Sequence, residues 1–147
     1  SGGKLSGWIF DKSINTGQFV QEMVSPFLLV TDTPNSKIKY SGKLICTNYK
    51  NAYVVIVQKP ILDENTDYVF SGWYKVGIGK TKALITILGT PPFETMPRVI
   101  ISKVEPVIDN KWYYFENKFN SGEYNEYNIS VKLNSTGTIW LTNLSLK

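Results

Sequence analysis

The chain has 147 residues, twenty of them aromatic (four Trp, nine Tyr, seven Phe), with 19% charged residues, a single cysteine and no histidine. Without imidazole there is no histidine general base, no Ser-His-Asp or Cys-His pair and none of the common zinc ligand sets, while Cys46 alone closes no internal disulfide and makes no CxxC site. The net charge of +4 comes from 16 basic and 12 acidic residues scattered along the chain, too dispersed for a nucleic-acid-binding run.

The opening Ser1-Gly2-Gly3 reads as a linker scar, so residues 1–6 are expected to be a tag or linker remnant and residues 7–147 one domain of common size. The longest apolar stretches, such as Tyr53 to Val57, fall far short of the roughly 18–20 residues that span a bilayer. Membrane insertion is not expected.

From there hydrophobic alternation of period two dominates, with no 3.6-residue pattern over a helix-length window. The expected strands are Phe19 to Met23, Phe27 to Val30, Ile38 to Cys46, Tyr53 to Gln58, Tyr68 to Lys75, Ala83 to Leu88, Val99 to Val104, Trp112 to Phe119, Tyr127 to Leu133 and Thr138 to Leu146. Turn clusters separate them, among them Thr33-Pro34-Asn35-Ser36, Asp63 to Asp67, Asp109-Asn110 and Asn120-Ser121-Gly122. The pattern predicts an all-β chain, a β-sandwich jelly roll of two antiparallel sheets. Between Gly89 and Pro97 three prolines exclude a central strand, so this is expected to be a long surface loop, with Phe93 and Met96 tucked beneath it or lending it binding residues.

Alternation divides the aromatic strands into two faces. Tyr68, Phe70, Gly72 and Tyr74 share one face and Val69, Ser71, Trp73 and Lys75 the other; likewise Tyr113, Phe115, Asn117 and Phe119 oppose Trp112, Tyr114, Glu116 and Lys118. The second sets mix rings with hydrogen-bonding groups. That combination suits a pyranose, whose apolar C–H face stacks on a ring while its hydroxyls need donors and acceptors at fixed positions. The candidate carbohydrate-binding residues are therefore Trp73 and Tyr114 for stacking and Gln58, Lys75 and Glu116 for hydrogen bonding, with Tyr49 and Tyr53 at the rim of a cleft beside the Lys50-Asn51-Ala52 turn. Trp112 and Trp140 read as edge or core fillers, and Tyr124 and Tyr127 as a polar loop and strand start with a lesser claim to binding.

The stretches Tyr40-Ser41-Gly42-Lys43-Leu44, Val57 to Lys75 with its Asn65-Thr66-Asp67-Tyr68-Val69-Phe70-Ser71-Gly72-Trp73 core, Lys111-Trp112-Tyr113-Tyr114 and Ile139 to Leu146 together resemble a jelly-roll carbohydrate-binding module. The order is similar to that of the galactose-binding-like modules appended to bacterial polysaccharide hydrolases, over about two thirds of the chain. The resemblance implies a β-sandwich that binds polysaccharide or oligosaccharide and holds a tethered enzyme or particle at it. It also implies an extracellular place, secreted or at a cell surface, within a larger multidomain protein or assembly. Such modules often hold a structural calcium on a paired aspartate before the last strand and an acidic residue near the N-terminus; here the first position reads Thr142-Asn143 and the start Gly7-Trp8-Ile9-Phe10 lacks the usual motif, so no cofactor and no metal ligand are expected, a structural calcium being the one exception the resemblance leaves open.

Catalysis is not expected. Glycoside hydrolysis needs two carboxylates at a set distance, and Asp63, Glu64, Asp67, Asp109, Glu123 and Glu126 lie in or beside expected turns, where carboxylates cap backbone N–H groups. Only Glu116 is mid-strand on the ring-bearing face. The competing reading is a structural or adhesion sandwich of a phage tail, baseplate or bacterial surface protein, contacting protein or host-wall glycan.

Overall fold

The computed structural model describes residues 9–10, 28–46, 54–78, 82–96, 98–133 and 136–147. These form two five-stranded sheets in which every neighbouring pair of strands is antiparallel. The first sheet runs β1 (Ile9–Phe10), β4 (Val54–Gln58), β9 (Glu126–Leu133), β6 (Ala83–Thr90) and β7 (Arg98–Val104). The second runs β2 (Leu28–Val30), β3 (Ser41–Cys46), β10 (Gly137–Leu146), β5 (Asp67–Val76) and β8 (Tyr113–Asn120). The chain is thus the expected all-β sandwich. The expected strand Phe19 to Met23 lies outside the described residues, as do Tyr49, Tyr53 and the turn between them.

Alternation decides what the sandwich buries. From the first sheet Ile85, Ile87, Ile129, Val131 and Leu133 point inward, and from the second Leu44, Phe70, Tyr74, Val76, Phe115, Phe119, Ile139 and Leu141. Fully burying one such side chain is worth about 1.5–3 kcal/mol. The inward aromatic set of β5 and β8 forms a ladder, with Tyr68 on Phe119 at 5.9 Å, Phe70 edge-on to Phe115 at 5.1 Å and Tyr74 on Tyr113 at 5.7 Å between ring centroids. Gly72 sits where this ladder is most crowded: a Cβ there would come within 2.5 Å of Leu144 Cδ2 and 3.3 Å of Phe115 Cε1.

Two details differ from the sequence expectation. Strand β6 runs on through Gly89 and Thr90, so the proline-rich loop is shorter than expected, and Phe93 and Met96 in it are exposed rather than tucked away. Strand β10 carries an irregularity between Thr142 and Ser145, with Asn143 in the left-handed region at φ 50°. That bulge lets both ends of β10 keep pairing with β5.

Candidate functional site

The outer face of the second sheet is built in cross-strand rows. Register places Lys43, Trp140 and Lys75 in one row across β3, β10 and β5, Thr142, Trp73 and Tyr114 in the next across β10, β5 and β8, and Ser145, Ser71 and Glu116 beyond them. Trp73 and Tyr114 stand directly opposite each other, their rings edge to face at 5.5 Å and 62°. Tyr114 is 53% exposed, and its hydroxyl donates to Glu116 Oε2 at 3.2 Å. Trp73 is half-buried. The structure therefore brings Trp73, Tyr114, Lys75 and Glu116 onto one sheet face.

Lys75 has other partners already. Its side chain is buried, and its ammonium forms an ion pair and hydrogen bond with Asp32 Oδ2 while lying 4.2 Å from the Trp140 ring centroid and 5.5 Å from that of Trp112. Asp32 Oδ1 accepts the Trp112 indole N–H at 3.3 Å, and its backbone carbonyl accepts the Ser41 hydroxyl. Lys43 lies over the same Trp140 ring at 5.2 Å. Partial burial pulls the Asp32 carboxyl upward, but hydrogen bonds from Lys75 and Trp112 and the charges of Lys75 and Lys43 outweigh it, so its pKa lies below the ordinary carboxylate value. The segment from Thr31 to Tyr40 is tied down a second time where the Thr142 hydroxyl donates to the Tyr40 carbonyl at 2.8 Å.

Trp112 and Trp140, read from sequence as fillers, are half-buried on this outer face, and Asp32, Lys43 and Thr142 join them without any sequence motif to mark them. The available signal was register: once Lys43 and Lys75 are both set opposite Trp140, the cation–π row follows. Gln58 belongs elsewhere. It ends β4 in the other sheet, with its backbone opposite Ile129, and its side chain lies outside the described parts of the structure.

The outer face of the first sheet mixes polar and apolar side chains. Thr86 pairs with Ser130, and Leu88 with Asn128, on the side away from the core residues Ile85, Ile87, Ile129 and Val131. Thr86, Ser130 and Asn128 are nevertheless buried, and Asn128 Oδ1 has no hydrogen-bond partner among the described residues.

Several carboxylates are engaged by neighbouring side chains. Asp67 accepts from Asn120 Nδ2 at 2.8 Å and Glu123 from Asn65 Nδ2 at 3.1 Å. Glu126 pairs with Lys59 at 2.9 Å, and Asp109 accepts the Tyr113 hydroxyl. No group of three His, Cys, Asp or Glu side chains is placed to hold a metal ion among the described residues. At the position where the resembling modules carry paired aspartates, the Thr142 hydroxyl is committed to Tyr40 and Asn143 occupies the bulge.

No protein-family model matches the sequence, and no curated protein matches it. Solved structures do. The chain is similar to a structure described as Family 16 Carbohydrate Binding Module-2, at 13% identity and TM-score 0.67 over 100% of this chain and 97% of that one. It is also similar to the CBM22-1 xylan-binding domain from Paenibacillus barcinonensis Xyn10C, at 13% identity and TM-score 0.69 over 99% and 87%. The enzymatically active domain of tailspike protein 4 from Bacteriophage CBA120 matches at 16% identity and TM-score 0.67 over 98% of this chain, which spans 20% of that one. At these identities the likeness is one of fold, and the fold is the jelly-roll β-sandwich of carbohydrate-binding modules.

Proposed function

We propose that the protein is a non-catalytic carbohydrate-binding module that holds polysaccharide on the outer face of its second sheet. One observation carries this reading: Trp73 and Tyr114 face each other across β5 and β8 on the solvent side of the sheet, with Glu116 hydrogen-bonded beside them. Rings placed edge to face offer sugars two surfaces at different tilts, and the Glu116 carboxylate accepts from a hydroxyl at the ring edge. Lys75 contributes by fixing Trp112 and Trp140 below the ligand, its ammonium being engaged with Asp32. Xylan is bound by one of the structural neighbours, and a polymeric, largely uncharged glycan of this type fits an open sheet face. In the full context the module would work outside the cell, tethered to a hydrolase or a particle, where tethering raises effective concentration and makes modest affinity sufficient.

Affinity gel electrophoresis against soluble xylan, glucan, mannan and cell-wall polysaccharide tests the proposal. Retardation by at least one polymer, lost in Trp73→Ala and Tyr114→Ala with circular dichroism unchanged, is expected. Equal mobility across the panel would leave the structural or adhesion reading in its place.

A further inference from the structure

A cleft of about 420 Å³ opens at the end of the sandwich between the β4–β5 and β8–β9 loops, lined by Lys59, Ile61, Glu64, Tyr124, Asn125 and Glu126 among others. From its residues we propose a second sugar site, built for the uncharged terminal pyranose of a glycan and separate from the face that carries Trp73. The proposal rests on the reading of the protein as a carbohydrate binder and adds an end-on site to it.

The two loops that wall the cleft are locked to each other. Ser121, fully buried, donates its hydroxyl to the Asp63 carbonyl and accepts from the Thr66 N–H, while its own N–H reaches the Thr66 carbonyl at 2.9 Å. Asn65 N–H bonds the Gly122 carbonyl at 2.9 Å, and its side-chain amide bonds Glu123 at 3.1 Å. Lys59 and Glu126 join the flanking strands by an ion pair at 2.9 Å. A cleft whose walls are fixed before a ligand arrives loses little entropy on binding.

Within it Tyr124 is held as a stacking ring. A Cβ on Gly89 would lie 2.7–2.9 Å from three atoms of that ring, and one on Gly122 would lie 3.0 Å from a fourth, so Tyr124 rests directly on glycine backbone. Tyr127 meets it edge-on at 6.0 Å and 84°, its hydroxyl donating to the Gly122 carbonyl at 3.3 Å. Asn125 is anchored through its N–H to the Thr90 carbonyl at 3.0 Å. Backed by Gly89, Tyr124 lines the cleft, and Asn125, Glu126, Glu64 and Lys59 supply the polar rim.

Size and charge select the ligand. The cleft lies near the lower end of the roughly 300–1,000 Å³ common for small-molecule sites, enough for one sugar or two and not for a polymer laid across it. Glu64 and Glu126 outnumber Lys59 on its walls, which disfavours uronic acids and sulfated sugars and leaves neutral pyranoses.

The test is an NMR titration of the uniformly ¹⁵N-labelled protein with methyl pyranosides of glucose, galactose, mannose and xylose, and with glucuronic acid as the charged control. Expected are saturable shifts at the backbone amides of Ile61, Tyr124, Asn125 and Glu126 with at least one neutral glycoside, weakened about fivefold to tenfold by Tyr124→Ala, the loss of one aromatic contact. Trp73→Ala is expected to leave those shifts in place. Should Tyr124→Ala fail to fold, Glu126→Gln serves, since it alters a rim group exposed to solvent. Absence of shifts with every neutral glycoside, or binding of glucuronic acid alone, overturns the site. Gel retardation is a separate readout, so a protein that binds polymers without these shifts refutes this cleft and leaves the sheet-face reading standing.

Discussion

The ammonium of Lys75 lies 4.2 Å from the centroid of the Trp140 ring, directly across the β5–β10 register, and the same nitrogen is paired with Asp32. This cluster ties the segment before β3 to the middle of the second sheet. Removing one member of a buried charged pair leaves the other without compensation. Asp32 keeps 46% of its side-chain exposure against 10% for Lys75, so the two deletions are unequal. Asp32→Asn, which strands the buried ammonium, is expected to cost about 1–2 kcal/mol and Lys75→Met, which leaves a carboxylate water can reach, about half that, with a double mutant less destabilised than the sum. Urea denaturation measures all three, and a neutral Asp32→Asn would dismiss the cluster as a stabilising element.

Acid should act through the same carboxylate. The Asp32 pKa is lower in the folded protein than the ordinary value, so its stabilisation is present above about pH 3.9, the unperturbed aspartate value, and is lost as pH falls through the lower folded pKa. The stability difference between wild type and Asp32→Asn is therefore constant from neutral pH to about pH 5 and shrinks toward pH 3. Melting temperatures of the two proteins across that range decide the matter.

Gly72→Ala is expected to destabilise by about 1–3 kcal/mol, the range for overpacked cores. The added methyl meets a movable Leu144 Cδ2 at 2.5 Å, but also the Leu144 Cα at 3.2 Å, which is backbone of the β10 bulge and yields less easily. Pairing it with Leu144→Ala tests the cause: partial recovery relative to the sum of the single changes identifies the clash.

Phe93 combines full exposure with a left-handed backbone at φ 64°, a conformation that disfavours bulky side chains and is tolerated by asparagine. Phe93→Asn is expected to raise stability by a few tenths to about 1 kcal/mol, because it relieves strain and removes nothing from the core. A lower melting temperature for this variant would show that the ring packs against something in solution.

Most of the fold was legible because alternation is a local signal. Tyr68, Phe70, Tyr74, Phe115 and Phe119 could be assigned inward from their own strands alone, and they pack as the inner ladder. The same logic put Trp73 and Tyr114 on one outer face, where they are opposite each other. What alternation does not contain is the order of strands. Gln58 was grouped with Trp73 on chemistry, yet β4 belongs to the other sheet. Trp140 reaches Lys75 only because β10 inserts between β3 and β5, and Asp32 reaches it across 43 positions of sequence. The sequence left Phe93 and Met96 between two alternatives, tucked or exposed, for a different reason: apolar residues are expected to find cover, and nothing in the local sequence marks a loop too short to provide it.

Three of the four tryptophans, Trp73, Trp112 and Trp140, share one outer face, whereas the end cleft is lined, among the described residues, by tyrosines and no tryptophan. The molecule consequently carries its own optical label for where a glycan lands. A ligand on the second sheet alters the polarity around these three indoles and moves their emission, while one seated against Tyr124 touches none of the three. A single fluorescence titration, without dyes or substitutions, thereby reads out which surface is occupied.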